Sequence, residues 1–189
     1  GKTLLARSLP SILPELSFEE AVEITSIHSI AGTLETGILS GRPFRNPHHT
    51  TSYVALVGGG TFPKPGEVTL SHRGVLFLDE FPEFDRRMIE ALRQPLEDRA
   101  ISISRAKGSM TFPADVMLVA AMDPCPCGNK GSSKECVCLP RQLTHYARKV
   151  SGPILDRIDI WLSMPQVEYR KLEEDSEDGA ESPHIKKRV

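Results

Sequence analysis

An α/β fold with a parallel sheet is predicted by three features of the chain. Val75 to Leu78 form a short, wholly apolar run that ends in two adjacent carboxylates, Asp79 and Glu80. Such a run suits a strand buried on both faces of a parallel sheet, with the acids in the crevice at its C-terminal end. Val116 to Met122 form a second apolar run, and helix-forming segments stand before and after both.

Each element follows from local chemistry. Gly1-Lys2-Thr3 leads into a helix over Leu4 to Leu9, which Pro10 is expected to end. Ser17 and Glu20 have capping-box spacing, so a second helix runs from Ser17 towards Ile30, before Gly32 and Gly37 break the pattern. Residues 41 to 67 hold Gly58 to Gly60 with Pro43, Pro47, Pro63 and Pro65; a short helix over Thr51 to Val57 is predicted there, and loop or hairpin elsewhere. Asp85 caps a predicted helix to about Glu97, with Met88, Ile89, Leu92 and Leu96 on one face. Ile101-Ser102-Ile103-Ser104 alternates with period two and, with a turn at Gly108 and a return through Met110 and Phe112, predicts a hairpin. The Val116–Met122 run is a predicted buried strand. Beyond it come a cysteine-rich loop over 124 to 138, a helix from Pro140 to about Val150 and a further strand over Ile158 to Leu162. Residues 173 to 181 are acidic and small, as in a solvated linker, and Ser182-Pro183 opens another helix.

Composition excludes several classes. With 189 residues the chain suffices for one domain of ordinary size or one domain plus part of another, and 39% hydrophobic content is ordinary for a soluble globular protein. No apolar stretch approaches the ~20 residues that span a bilayer. A net charge of −2 removes any case for nucleic-acid binding by the whole surface and leaves only a local basic stripe.

The chemistry begins at the first residues. Gly1-Lys2-Thr3 is the last third of the phosphate-binding pattern G-x-x-x-x-G-K-[ST]. In a complete loop the helix N-terminus cradles phosphates, Lys2 reaches the β- and γ-phosphates, and the Thr3 hydroxyl ligates Mg²⁺. The tripeptide is common by chance; its weight comes from Asp79 and Glu80, of which one can hold Mg²⁺ and the next can polarise an attacking water. Lys2, Thr3, Asp79 and Glu80 are therefore expected to converge on one magnesium–triphosphate. Lys2 and Asp79 stand farther apart along the chain than a minimal nucleotide-binding core requires, so an insertion is expected between them. By itself the acidic pair reads equally as a turn after a strand.

Cys125, Cys127, Cys136 and Cys138 form C-x-C-x₈-C-x-C. Four thiolates this close can enclose a structural Zn²⁺, although the spacing is tighter than the usual C-x₂₋₄-C. Free thiols in a reducing cytosol, and disulfides, are the competing readings.

Longer strings give a family likeness. Arg45-Asn46-Pro47-His48-His49-Thr50, Leu56 to Gly60, Pro65-Gly66-Glu67, Gly74 to Glu80, Ser104-Arg105-Ala106, Ala120 to Gly128 and Ser151 to Asp159 together make the chain resemble the magnesium-chelatase-like AAA+ ATPases, in particular their competence-associated branch. The resemblance implies an AAA+ P-loop core over 1 to 172, with a helix-two insert at about 41 to 67, a pre-sensor hairpin, and a first strand and C-terminal lid cut short, the lid beginning at 182 to 189. It implies ATP and Mg²⁺ as ligands, with Gly1, Lys2 and Thr3 from Walker A and Asp79 and Glu80 from Walker B. It assigns Glu80 to the lytic water and Arg157 to an arginine finger that reaches a neighbouring subunit's nucleotide. Asp123 stands where the family has a sensor asparagine, a departure, because an ionised carboxylate cannot donate a hydrogen bond to phosphate. Without the resemblance, Arg157 reads as a surface salt bridge to Asp156 or Asp159. For His48 and His49 the resemblance implies a structural or coupling role, not a catalytic one. Arg99, Arg105 and Lys107 on the hairpin are the candidate contacts to nucleic-acid phosphates. The implied assembly is a cytoplasmic homo-oligomeric ring, commonly of six, that works on single-stranded or branched DNA without a membrane. The rivals are a motor subunit of a metal chelatase and a non-hydrolysing, zinc-stabilised scaffold.

Overall fold

A computed structural model of the protein describes residues 1–60, 63–105, 108–150, 152–164 and 181–189. The architecture is α/β, built around a short parallel sheet. Its middle strand is β4 (Val75–Leu78), whose four side chains are all buried. Successive side chains of a strand point to opposite faces, and β4 divides accordingly. Val75 and Phe77 share a core with Ala6 and Leu9 of α1 (Lys2–Ile12) and with Phe44 and Ala121. Leu76 and Leu78 belong to the larger core, which holds Phe81, Phe84, Met88, Ile89 and Leu92. Burial of one such side chain is worth about 1.5–3 kcal/mol, so this strand is the best-anchored element near the acids that follow it.

On one side β4 pairs in parallel with β1 (Phe44–Arg45), on the other with β7 (Met117–Ala120). Residues 44–45 are thus a sheet strand where the sequence predicts loop or hairpin. Two contacts explain this. Arg45 grips Glu67 of α4 (Glu67–Leu70) with two hydrogen bonds, 2.6 and 2.7 Å. A Cβ on Gly74 would meet the Pro43 carbonyl oxygen at 2.1 Å, so only glycine lets the two segments approach. Strand β7 is less buried than expected, with Met117 exposed, because among the described residues it has a neighbour on one edge only.

Helix α2 (Phe18–Ala31) starts at the predicted capping box: Ser17 Oγ accepts from the Glu20 N–H at 3.1 Å and Glu20 accepts from the Ser17 N–H at 3.0 Å. Helix α1 continues past Pro10, contrary to expectation. The turn beyond the proline is held where the Leu13 N–H donates to Leu9 O at 3.2 Å, with both leucines packed against the sheet. The single helix predicted from Asp85 to Glu97 is two, α5 (Arg86–Ala91) and α6 (Arg93–Asp98). Pro95 accounts for the break, since its ring lacks the N–H that would bond Ala91 O and clashes with that carbonyl.

The 41–67 region also contains α3 (Tyr53–Val57) and a small antiparallel pair, β2 (Gly58–Gly59) with β3 (Lys64–Pro65). The predicted hairpin is β5 (Ala100–Arg105) with β6 (Gly108–Pro113), and Ile101, Ile103 and Phe112 fasten it to the larger core. Helix α7 (Pro140–Lys149) and the short α8 (Gly152–Leu155) follow. Ile158 to Leu162 form no strand: Ile160, Trp161 and Leu162 are exposed, and no described strand pairs with them. The last helix, Glu181–Lys186, lies against α1, and Lys186 bonds Glu15, beyond the end of α1, at 3.0 Å. Most of the predicted acidic linker, 173–180, lies outside the described residues. No helix among the described residues is long and apolar enough to cross a membrane.

Candidate active site and metal centre

Three remote segments meet at the C-terminal end of the sheet. Helix α1 presents Lys2 and Thr3 in its first turn, Asp79 directly follows β4, and the chain leaving β7 carries Asp123. Thr3 Oγ1 donates to Asp79 Oδ2 at 2.7 Å. Lys2 Nζ donates to Asp123 Oδ1 at 2.5 Å and to Met122 O at 3.1 Å. The Asp123 carbonyl is itself held by Tyr146 Oη of α7 at 3.1 Å. Thr3 and Asp79 therefore meet, with Lys2 next to Thr3 on the same helix turn, and Asp123 supplies the counter-charge to the lysine.

This cluster fits a hydrated magnesium ion with phosphates. Oxygen ligands about 2.1 Å from Mg²⁺ in an octahedron lie roughly 3 Å from one another, close to the observed Thr3–Asp79 separation. The Lys2–Asp123 pair is largely open to water, with about a third and over half of the two side chains exposed (37% and 56%). Pairs of this kind are worth about 0–1 kcal/mol, so phosphate oxygens can displace the carboxylate from Lys2 at little cost.

Glu80 adopts a left-handed backbone conformation (φ 51°), unusual for a residue other than glycine. Its N–H bonds Asp79 Oδ1 at 3.0 Å, and the next N–H, that of Phe81, bonds Ala121 O at 2.9 Å. The side chain meets His49, whose Nδ1 lies 3.0 Å from Glu80 Oε2. Sequence reading missed this partner; the string around His48 and His49 drew attention to itself, but nothing in its spacing pointed to Glu80.

Arg157 is not in this cluster. It forms an ion pair with Glu97 of α6 and donates from Nη1 to Pro153 O at 2.5 Å, while its Nε is buried without a partner among the described residues. The salt-bridge reading thus holds with a different acid, since neither Asp156 nor Asp159 is the partner. Arg99 sits at the foot of the hairpin rather than its tip, in a left-handed turn (φ 53°) with its guanidinium 3.7 Å from Asp115. The Arg105 side chain and all of Lys107 lie outside the described residues.

Directly beyond Asp123, the four cysteine sulfurs lie within 4.8 Å of one another. Cys125 Sγ is 3.4 Å from Cys127 and 3.7 Å from Cys136, and Cys127 is 3.7 Å from Cys136. Tetrahedral zinc with Zn–S bonds of about 2.3 Å separates its sulfurs by roughly 3.8 Å. A disulfide needs about 2.05 Å, so the separations exclude bonded pairs and match a shared metal. Turns at Gly128 (φ 75°) and Gly131 (φ 81°) fold the loop back, and the Lys130 N–H donates to Cys125 Sγ at 3.3 Å. The Asn129 N–H and the Cys138 thiol draw Cys127 down to about 6. Desolvation and the neighbouring Cys127 push Cys138 up to about 12. Cys127 is thus drawn towards the thiolate while Cys138 is held towards the thiol, a conflict that a divalent metal bound between them would remove.

A family profile described as "Magnesium chelatase, subunit ChlI" matches residues 1–172. The chain belongs to the magnesium chelatase family. Among curated relatives, it is 46% identical over its whole length to the uncharacterized protein YifB of Salmonella typhimurium, and 45% identical to the competence protein ComM of Haemophilus influenzae. It spans 37% of the length of each. A 67 kDa magnesium-chelatase subunit of Chlorobaculum parvum is 29% identical over 66% of the chain, which covers 18% of that subunit. For a magnesium chelatase family member, the parallel sheet and the Lys2–Thr3–Asp79 cluster at its end agree with a P-loop core.

Proposed function

We propose that this segment is the nucleotide-binding core of an ATP-hydrolysing AAA+ motor that assembles as a homo-oligomeric ring and acts on DNA. The observation that carries the proposal is the Thr3–Asp79 hydrogen bond of 2.7 Å with Lys2 beside it, which supports reading the two segments as Walker motifs. Lys2 binds the β- and γ-phosphates after exchanging Asp123 for them. Thr3 and Asp79 hold Mg²⁺, which when bound offsets negative charge on the phosphate oxygens. Glu80 accepts a proton from the attacking water. Asp123 can orient that water as an acceptor, yet cannot donate to phosphate while ionised. Arg157 exchanges Glu97 for the nucleotide of an adjacent subunit in a head-to-tail ring, six being the usual number for AAA+ proteins, where its planar fork stabilises the transferring phosphoryl group.

DNA is the proposed substrate because a relative similar along the whole chain is a competence protein, and competence is the uptake of DNA. Arg99, Arg105 and Lys107 are the proposed phosphate contacts, by charge alone, without base reading. A reducing cytoplasm suits both the nucleotide and four unbonded thiols. In that setting the cysteine cluster is a structural Zn²⁺ site: four protein ligands leave no open position for catalysis. The likeness to a chelatase subunit supports a second reading, a motor that drives metal insertion.

The test is hydrolysis by the full-length protein with and without single-stranded or branched DNA. Turnover stimulated by DNA is expected, and Glu80→Gln should lower kcat by about 10²-fold or more while nucleotide still binds. Loss of binding in that variant contradicts the role given to Glu80. Turnover indifferent to DNA favours the chelatase motor, and absence of turnover favours a zinc-stabilised scaffold.

A further inference from the structure

We infer that Cys127 and Cys136 are a peroxide-responsive pair, oxidised to a reversible disulfide that opens the cysteine cluster. Loss of a metal on oxidation rests on the structural-zinc reading above; the bond itself does not. Among the half-buried cysteines, these two have their sulfurs in contact at 3.7 Å. A disulfide needs about 2.05 Å, a gap that rotation of the two side chains closes. Cys125 is fully buried, and its sulfur accepts from the Lys130 N–H at 3.3 Å. The outer side of the cluster is open to water: Val137 and Leu139, on either side of Cys138, are 77% and 64% exposed. Oxidation of a thiol follows access as well as thiolate character, so a small hydroperoxide meets Cys127 before Cys125.

The chain between the pair also permits the bond. Eight residues without a proline separate Cys127 from Cys136, and two of them, Gly128 and Gly131, already turn in left-handed conformations (φ 75° and 81°). Cys125 lies nearer to Cys127, at 3.4 Å, but only Pro126 stands between them. The proline ring fixes φ there and leaves the backbone little freedom to reach disulfide geometry.

One molecule of hydrogen peroxide balances the step. The Cys127 thiolate attacks a peroxide oxygen; the S–O bond forms, the O–O bond breaks and hydroxide leaves, giving a sulfenic acid. The Cys136 thiolate then attacks that sulfur; the S–S bond forms, the S–O bond breaks and a second hydroxide leaves. The two thiolates together lose two electrons, which reduce the peroxide to two hydroxides. Only Cys125 and Cys138 then remain of the four ligands that a structural zinc site requires, so the ion is released. A dithiol reductant reverses the bond by exchange and restores the site.

Full-length protein, purified reduced and treated with a small excess of hydrogen peroxide, tests this by peptide mapping, intact mass and metal analysis. The expected product links the Cys127 and Cys136 peptides, with the loss of two hydrogens, and dithiothreitol removes the link. Bound zinc should fall from about one per chain to near zero and return when reductant and zinc are added together. In Cys136→Ser the reaction should stop at the sulfenic acid, trapped by dimedone on Cys127. A first link between any other pair, conversion to sulfinic acid without a link, a link that dithiothreitol does not reverse, or a dimedone adduct on another cysteine of the loop instead of Cys127 each overturns the inference. Failure of the zinc reading looks different: the reduced protein carries no zinc, yet the link still forms. Zinc held through peroxide treatment with no link formed overturns this inference and leaves the zinc reading standing.

Discussion

Asp123 and Cys125 are near neighbours in the chain, yet they close two clusters of opposite construction. Asp123 completes a group drawn from α1, the end of β4 and the end of β7, with partners as remote as Lys2. Cys125 belongs to a group confined to one loop, residues 125–138, whose ligands need only two turns to meet. The first cluster exists only when the sheet is assembled. The second is local: three of its sulfurs lie 3.4–3.7 Å apart and all four lie within 4.8 Å of one another, a group that could hold a metal ion. Remote clusters therefore answer to packing and local ones to ligand chemistry, and the two can be perturbed separately.

The largest expected effect separates them at the loop. Cys136→Ser should lower bound zinc from about one per chain to near zero and cost several kcal/mol of stability, since structural zinc binding is folding free energy. Metal analysis and thermal melts measure both. Nucleotide affinity should change only slightly, because Thr3–Asp79 does not touch the loop. A matching collapse of nucleotide binding would mean that the two clusters are one.

Gly74→Ala attacks the other cluster. The new Cβ meets the Pro43 carbonyl oxygen at 2.1 Å, so β1 and β4 must part. About 2–4 kcal/mol of stability should be lost by denaturant unfolding, with weaker nucleotide binding and unchanged zinc content in the folded fraction. Loss of zinc from the folded protein would contradict the separation.

The smallest effect is on pH dependence, and it belongs to the packed side of the comparison. Burial lowers the pKa of His28 and of His72 below the ordinary 6.5. Both are satisfied as neutral rings: His28 Nε2 donates to Leu70 O at 3.1 Å, while His72 Nε2 donates to Glu23 at 3.2 Å and its Nδ1 accepts from the Asp115 N–H at 3.0 Å. The unfolded chain takes up protons at these groups below 6.5 and the folded chain does not, so their contribution is present above 6.5 and is lost as pH falls towards the depressed folded values. Glu20 and Glu23, both lowered from 4.5, add to the loss only below that value. Melting temperature should therefore fall from about pH 7 to about pH 5, with a flatter profile in His28→Gln or His72→Gln. An unchanged slope in both variants would show that other groups govern it.

Local signals were legible where one short segment decides its own structure. The Ser17–Glu20 capping box, the apolar run of β4, the alternating Ile101 and Ile103 and the Pro140 helix start all stand in the fold as their residues indicate. The misses share a different cause. Phe44 and Arg45 are a strand because Arg45 finds Glu67 and Gly74 admits Pro43. The α5–α6 break at Leu92 was in principle readable from Pro95, whose effect reaches back four residues. Arg157 chose Glu97 over its flanking aspartates, and His49 found Glu80, through contacts that no local spacing records.

The sequence by itself determined the chemistry on offer: a lysine and threonine at a helix start, paired acids after a buried strand, and four thiols in one loop. These follow from residue type and short-range periodicity, which act before any tertiary contact forms. Only the tertiary structure decided which groups meet. Thr3 with Asp79, Lys2 with Asp123 and His49 with Glu80 are joined because β1, β4 and β7 lie side by side and α1 packs across them. Burial of both faces of β4 supplies the free energy that holds those distant segments in register.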